Sequence, residues 1–417
     1  MSEQIHKRLS NEFVKSILEK YIKGELKVKQ CLLILQIKKT RFFELVKEFK
    51  TNPSSFSISY KRKSPTNKLD PTAEKIIIEE LKREKELIID NPDVPVNFYN
   101  YSSIKTEIER KYDIHVSLPT IIKIAKENKY YKARKKKEKH TKEVITEYAG
   151  ELIQHDSSYH KFSPYADRKW YLITTLDDYS RYILYARLVE KEVVWEHIKA
   201  LEDVFLGYGI PIAYYTDSHS IFRFVQGRDS IWREHKKVTD EVSPQFKQIL
   251  EELGVRLIYA ISPQAKGKIE RSYRWIQDRL VRRCVREYVK DIRGANEILE
   301  EEIKRYNERQ VHSMTKEIPI IRLEKAIKRG KSLFREFKIP EPYEDIKDIF
   351  CYRIKRRVDG YHKISIKNEK IRIRGVEVYE KVEVRVIPDY ERGISELRIW
   401  HKGRLVDKKI IKRVDIV

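Results

Sequence analysis

Apolar residues recur at helical spacing in three short blocks of "NEFVKSILEKYIKGELKVKQCLLILQIKKTRFFELVKEFK", with breaks near Gly24 and near Gln36 and Ile37. The outline is a helix-turn-helix whose recognition helix runs from Thr40 to Phe49; a plain three-helix bundle with a basic surface has the same pattern. The polar stretch "TNPSSFSISYKRKSPTNKLDP" reads as a linker. Helical spacing then returns in "DPTAEKIIIEELKREKEL", with Asp70 as N-cap and Pro71 at the first helical position. It continues in "YSSIKTEIERKYDIHVSLPTIIKIAKENKYY", which predicts a helix, a turn and a second helix capped by Ser117.

After Tyr148 the period changes. "ELIQHDSSYH" predicts a strand ending at Asp156, "KWYLITTLDD" and "RYILYARLVE" two more, and "VWEHIKALEDVFLGYG" an amphipathic helix. "PIAYYTDSHS" predicts a strand ending at Asp217. "EVSPQFKQILEELG" follows as helix, "VRLIYAI" as strand, and the chain from Pro263 as helix again. The order βββαβαβα describes an α/β sheet with packed helices. From Phe350 onward, "FCYRIKRRV", "YHKISIKNEKIRIRG", "EVYEKVEVRVIP" and "ELRIWHKGRLVDKKII" alternate at period two around turns at Asp359-Gly360 and Lys402-Gly403.

The predicted organisation is multidomain. A helix-turn-helix module spans 1–52, a linker 53–69, a second helix-turn-helix module 70–133 and a basic linker 134–147. An α/β domain spans 148–290, a helical connector 291–345, and a small all-β, partly open barrel 346–417. A chain of 417 residues is long enough for several such cores.

Charge narrows the choice of partner. Lys and Arg number 88 against 64 Asp and Glu, a net +24, which favours a polyanion, nucleic acid before anionic membrane. Half of that excess, +12, lies in residues 1–150. The three cysteines, Cys31, Cys284 and Cys351, are too far apart for a disulfide framework or a clustered zinc module, and they fit a reducing cytosol. No apolar run is long enough to span a bilayer and the amino terminus carries no signal-peptide pattern, so no membrane partner is expected. Lys38, Lys39, Thr40 and Arg41 would meet DNA in the first module, and Ser117, Thr120 and Lys123 in the second. Lys135, Lys136 and Lys137 lie in a basic run that suits phosphates or a solvated linker equally.

The chemistry turns on one lone acid. In "AISPQAKGKIERSYRWIQDRL", Glu270 sits among Lys266, Lys268, Arg271 and Arg274. A surface salt-bridge network is the bland reading. If Asp156 and Asp217 close their strands, however, they and Glu270 converge as three carboxylates, the hard oxygen ligands of Mg²⁺ or Mn²⁺. Two such ions about 3.5–4 Å apart clamp an in-line phosphoryl displacement. The neighbouring Lys and Arg would hold a polyanionic substrate against a site that is itself negative. His155 is expected to pack beneath the sheet, and Asp177 and Asp178 to serve a turn.

The set "QHDSSYH", "LDDYSRYI", "YYTDSHSIFR" and "SPQAKGKIERSYRWIQDRLV" resembles the DDE transposases of bacterial insertion sequences, most closely the ISNCY type, with a catalytic core related to retroviral integrases. The likeness is strongest over residues 150–290. It implies an RNase H-like domain in which Asp156, Asp217 and Glu270 bind two Mg²⁺ or Mn²⁺ ions. It also implies nicking at element ends and joining of the freed 3′-hydroxyls to target DNA. The implied partners are terminal inverted repeats, target DNA and further copies of the chain, in a cytoplasmic, nucleoid-associated bacterial protein. Tyr306, Asn307 and His312 resemble the segment that follows integrase cores and braces them. A multi-module DNA-binding regulator with an inactive core fits the charge equally well, and an RNase H-like nuclease without strand transfer fits the carboxylates.

Overall fold

The computed structural model describes residues 5–59, 69–133, 146–216, 245–259, 267–367, 369–412 and 414, with 267–272 as helical backbone alone. The chain divides into two compact units, Met1–Glu74 and Lys75–Val417.

In the first unit, α1 (Ile5–Arg8), α2 (Asn11–Ile22), α3 (Val28–Leu35) and α4 (Lys39–Thr51) follow the apolar blocks. Ser10 caps α2 by accepting from the Phe13 amide at 3.2 Å, and Gln36 ends α3 in the left-handed conformation that turns the chain into α4. Val14, Leu18, Cys31, Leu35, Phe42 and Leu45 are fully buried, so these helices close a core of their own. The segment read as linker from residue 53 begins instead as part of this unit. Phe56 and Ile58 are buried in the core, and Asn11 donates to the Phe56 carbonyl at 3.2 Å while accepting from the Ile58 amide at 3.0 Å.

Helix α5 (Pro71–Glu84) crosses the division and passes into a π-helical turn, Lys85–Ile89; α6 (Tyr101–Tyr112) and α7 (Leu118–Glu127) follow. Ser117 caps α7 as expected, accepting from the Thr120 amide at 3.2 Å.

The central order is as the period predicts: β1 (Ile153–His160), β2 (Trp170–Asp177), β3 (Ile183–Val189), α8 (Val194–Tyr208), β4 (Ala213–Thr216), α9 (Gln245–Glu252), β5 (Arg256–Tyr259) and α10 (Gly267–Arg286). The strands form one sheet in the order β3-β2-β1-β4-β5, with β1 to β3 antiparallel and β4 and β5 parallel to β1. One boundary differs: β1 runs on past Asp156 to His160. Its parallel pairing with β4 is recorded only at Ile153 and Gln154, but the hairpin partner β2 continues to bond as far as the His160–Trp170 pair. Asp156 therefore sits in mid-strand, opposite Thr174.

Helix α11 (Ile292–Arg309) covers the outer edge of β3 by imitating a strand. The Asn296 amide group accepts from the Leu188 N–H at 2.8 Å and donates to its carbonyl at 3.0 Å, and Asn307 makes the same pair with Ile183 at 2.9 Å each. The expected bracing of the core by this segment is thus an edge cap. Helix α12 (Pro319–Lys328) follows.

The C-terminal strands are β6 (Tyr352–Arg357), β7 (Lys363–Ile366), β8 (Glu369–Arg372), β9 (Lys381–Asp389), β10 (Ile394–His401) and β11 (Arg404–Ile411). They form an antiparallel sheet, β11-β10-β9-β6, and a separate β7–β8 hairpin. Lys402 and Gly403, both at positive φ, close the β10–β11 turn, and the Asp359 carboxylate accepts from the Tyr361 and Lys363 amides. This region is no appendage. Its core is continuous with that of the central sheet, with Trp195 against Tyr352 and Phe205 against Phe350.

Candidate active site

Alternation along β1 sends its side chains to two different environments. On one face His155 is buried, as expected: Thr175 Oγ1 lies 2.8 Å from its Nδ1 and His197 Nδ1 lies 2.8 Å from its Nε2. On the other face lie Gln154, Asp156 and Ser158. Gln154 donates to Asp178, and Ser158 accepts from Gln277 of α10 at 2.7 Å. Helix α10 therefore approaches the face of the sheet that carries Asp156. Glu270 is on the backbone of this helix, seven residues or about two turns before Gln277.

Asp156 is half-buried, and its cross-strand neighbour Thr174 is fully buried with a hydroxyl that finds no hydrogen-bond partner among the described residues. The described part of β4 ends at Thr216, the residue before Asp217, and Gln154 pairs with Tyr215. Asp217 itself lies outside the described residues, as do Lys266, Lys135, Lys136 and Lys137. Of Lys268, Glu270 and Arg271 the helical backbone is described, and Arg274 is exposed on the next turn. Among the described residues no three His, Cys, Asp or Glu side chains form a metal-holding group.

The turn after β2 does what its sequence predicts. Asp177 accepts from the Gly150 amide at 2.9 Å and the Ser180 amide at 2.8 Å, and Asp178 accepts from Thr146 at 2.8 Å and Arg181 at 3.0 Å. Burial raises the Asp177 carboxyl above its ordinary pKa, opposed by these hydrogen bonds and reinforced by the neighbouring Asp178.

Lys38, Lys39, Thr40 and Arg41 are all exposed at the start of α4, with Arg41 paired to Glu44 at 2.9 Å. In the second module Ser117 is exposed but occupied in capping, Thr120 is half-buried and Lys123 is exposed beside Glu127.

The C-terminal half of α10 carries a second set of charges, which spacing alone does not mark as internal. Arg279, Arg282, Arg283 and Arg286 are buried, not solvated. Arg282 donates to Asp278 at 2.9 and 3.0 Å, to Glu84 and to the Phe98 carbonyl; Arg286 donates to Glu80 and to Glu84 at 2.5 and 2.7 Å. Arg279 donates to Ser102 at 2.9 Å, and Asn100 donates to Asp278. Burial pushes the Arg279 guanidinium down to about 10, with Arg305 nearby adding to the effect. The signal was present on α5, where Glu80 and Glu84 lie at helical spacing with Ile77, Leu81 and Ile88, on the face a core uses.

No family model matches the chain. It is similar to y4bF of Sinorhizobium fredii, named as a transposase, at 26% identity over 274 residues, 66% of this chain and 55% of that one. It is also similar to the transposase of insertion sequence IS1202 from Streptococcus pneumoniae, at 29% identity over 286 residues, 66% of this chain and 56% of that one. The resemblance to transposases is borne out; the chain spans a little over half the length of these relatives. Among solved structures, the HTLV-2 integrase catalytic core domain in complex with magnesium shares 16% identity over 41% of this chain and 95% of its own, with a TM-score of 0.31. The simian T-cell lymphotropic virus intasome in complex with the PP2A regulatory subunit B56 gamma shares 12% over 76% and 94%, with a TM-score of 0.35.

Proposed function

We propose that the chain is a DNA transposase that binds the ends of its element, nicks them and joins the 3′-hydroxyl ends to target DNA. The observation that carries this reading is the meeting of three elements. Asp156 lies on the face of β1 that α10 approaches, the described part of β4 pairs beside it up to Thr216, the residue that precedes Asp217 in the chain, and α10 carries Glu270. The strand order β3-β2-β1-β4-β5, three antiparallel then two parallel, supports an RNase H-like core. Transposase relatives support the choice of substrate.

Asp156, Asp217 and Glu270 would hold Mg²⁺ or Mn²⁺, and the unpartnered Thr174 hydroxyl beside Asp156 fits a site that gains polar occupants. Bound there, divalent ions supply charge neutralisation for an in-line displacement at phosphorus by water or by a DNA hydroxyl. The chain's own part is to place DNA. Arg274, with Lys266, Lys268 and Arg271, would hold phosphates near the scissile bond. Lys135, Lys136 and Lys137 would follow the backbone, and the helix pairs α3–α4 and α6–α7 would read the terminal repeats. The C-terminal strands would form the barrel-like domain. Synapsis of two ends would require a homo-oligomer on the bacterial chromosome.

The test is a labelled duplex bearing the native element end, incubated with Mg²⁺ or Mn²⁺. Wild type is expected to cut at the end and give strand-transfer products. Asp156→Asn is expected to lose about 10³-fold or more in cutting, since metal-held charge supplies several kcal/mol, while retaining DNA binding. Cutting without joining would favour a nuclease; binding without cutting would favour a regulator.

A further inference from the structure

Helix α10 is 20 residues, about 30 Å long, and its described side chains reach different parts of the second unit, Gln277 meeting β1 and the C-terminal turns meeting α5 and α6. Near its start is Glu270. About 18 to 24 Å further on, Arg282 and Arg286 enter a buried cluster with Glu80 and Glu84 of α5. Arg279 reaches Ser102 and Thr106 of α6, and Asp278 accepts from Asn100, the N-cap of α6. An apolar contact runs alongside, Val281 and Val285 against Ile88, Val94 and Val96.

Buried ion pairs add little net stability, but each needs its partner in place, so they penalise every other register of the two surfaces. The forked guanidinium of Arg282 is held by Asp278 of its own helix and reaches two acceptors on other segments, Glu84 of α5 and the Phe98 carbonyl, a pair of contacts that a shifted docking would break. We infer that Arg282 is a positioning residue. Through it the α5–α7 module is locked onto α10, so that the DNA-facing end of α7 stands at a fixed offset from the active site and the module sets where the strand is cut. The inference rests on the transposase reading for its DNA part alone.

Two measurements test it. In the first, wild-type protein and Mg²⁺ are given element-end duplexes with two or five base pairs inserted between the DNA that this module protects and the terminal phosphodiester. Hydroxyl-radical footprinting, with Lys123→Ala as the reference, identifies the protected DNA. Cutting is expected to move into the insert at constant distance from the footprint. Cutting that stays at the original terminal phosphodiester for both insertions overturns the inference.

The second uses protein alone. Hydrogen exchange in Arg282→Met is expected to quicken in α6 and the end of α10 together, to recover in part in Arg282→Lys, and to be unchanged in the first unit. Quickening in α10 without α6 overturns the docking. If wild type cuts no duplex, the offset falls with the transposase reading, and exchange still decides the docking without DNA or metal. If the methionine variant does not fold, the wild-type cutting positions decide.

Discussion

The two helical modules look alike in sequence and are held by different physics. In the first, α2, α3 and α4 bury Val14, Leu18, Leu35, Phe42 and Leu45 against one another, and Arg41 of α4 stays on the surface. In the second, α5 and α6 put carboxylates and hydroxyls on the inward face and take their counter-charges from α10. Apolar burial is non-directional and suits a self-contained unit. Buried charge pairs are directional, and they suit a module whose position has to be fixed.

The largest expected effect breaks that contrast directly. Arg282→Met takes a buried cationic partner from Glu84 and Asp278, leaving Glu84 to Arg286 and Asp278 to Asn100, and should destabilise the second unit by up to about 3–5 kcal/mol, read as denaturant midpoint. Arg41→Ala in the first unit should cost under about 1 kcal/mol, because its pairs are exposed. Equal losses would mean that the cluster is not held as the structure shows.

Leu45→Ala is expected to cost about 2–5 kcal/mol in the first unit alone, through lost burial and an unfilled cavity. A matching loss in the second unit would show that the two cores are not independent.

Acid should sharpen the comparison further. Burial opposes ionisation of Glu80, but Arg286 and Lys111 prevail and hold its carboxyl below the ordinary 4.5. A depressed folded pKa contributes stability that is complete above the unfolded value. That contribution is lost as pH falls through the lower folded one, so docking of the second module should weaken only below about pH 4.5. Glu80→Gln should flatten that acid limb in a pH series of melting temperatures; an unchanged limb would remove Glu80 from the linkage.

The smallest effects come from the caps. Ser10→Ala and Ser117→Ala should each cost about 1 kcal/mol in their own unit. A drop well beyond this for Ser117→Ala in DNA binding, with stability lost only by that amount, would give its hydroxyl a role in recognition as well.

Much of this architecture was written locally. Helix breaks at Gly24 and Gln36, the Ser117 cap, the Asp359-Gly360 and Lys402-Gly403 turns and the βββαβαβα order follow from spacing of three to four, spacing of two, and residues that tolerate tight turns. The end of β1 is not legible locally, because polar Asp156, Ser157 and Ser158 look like a strand's exit, whereas pairing with β2 holds them in the ladder. Phe56 and Ile58 looked like linker because nothing nearby in sequence says which surface will receive them.

By itself, then, the sequence determined which segments are helix and strand, where the caps and turns fall, which carboxylates are candidates for metal, and that the chain carries charge for a polyanion. Only the tertiary structure decided which of those charges are exposed and which are buried. The arginines of α10 read as one basic helix, yet Arg274 is exposed while Arg279, Arg282, Arg283 and Arg286 are buried. The carboxylates and hydroxyls that take up Arg279, Arg282 and Arg286 come in part from α5 and α6, some 170 to 200 residues earlier in the chain. Periodicity reports the environment along an element, whereas the cost of burying a charge is set by partners that only the folded chain brings within hydrogen-bond reach.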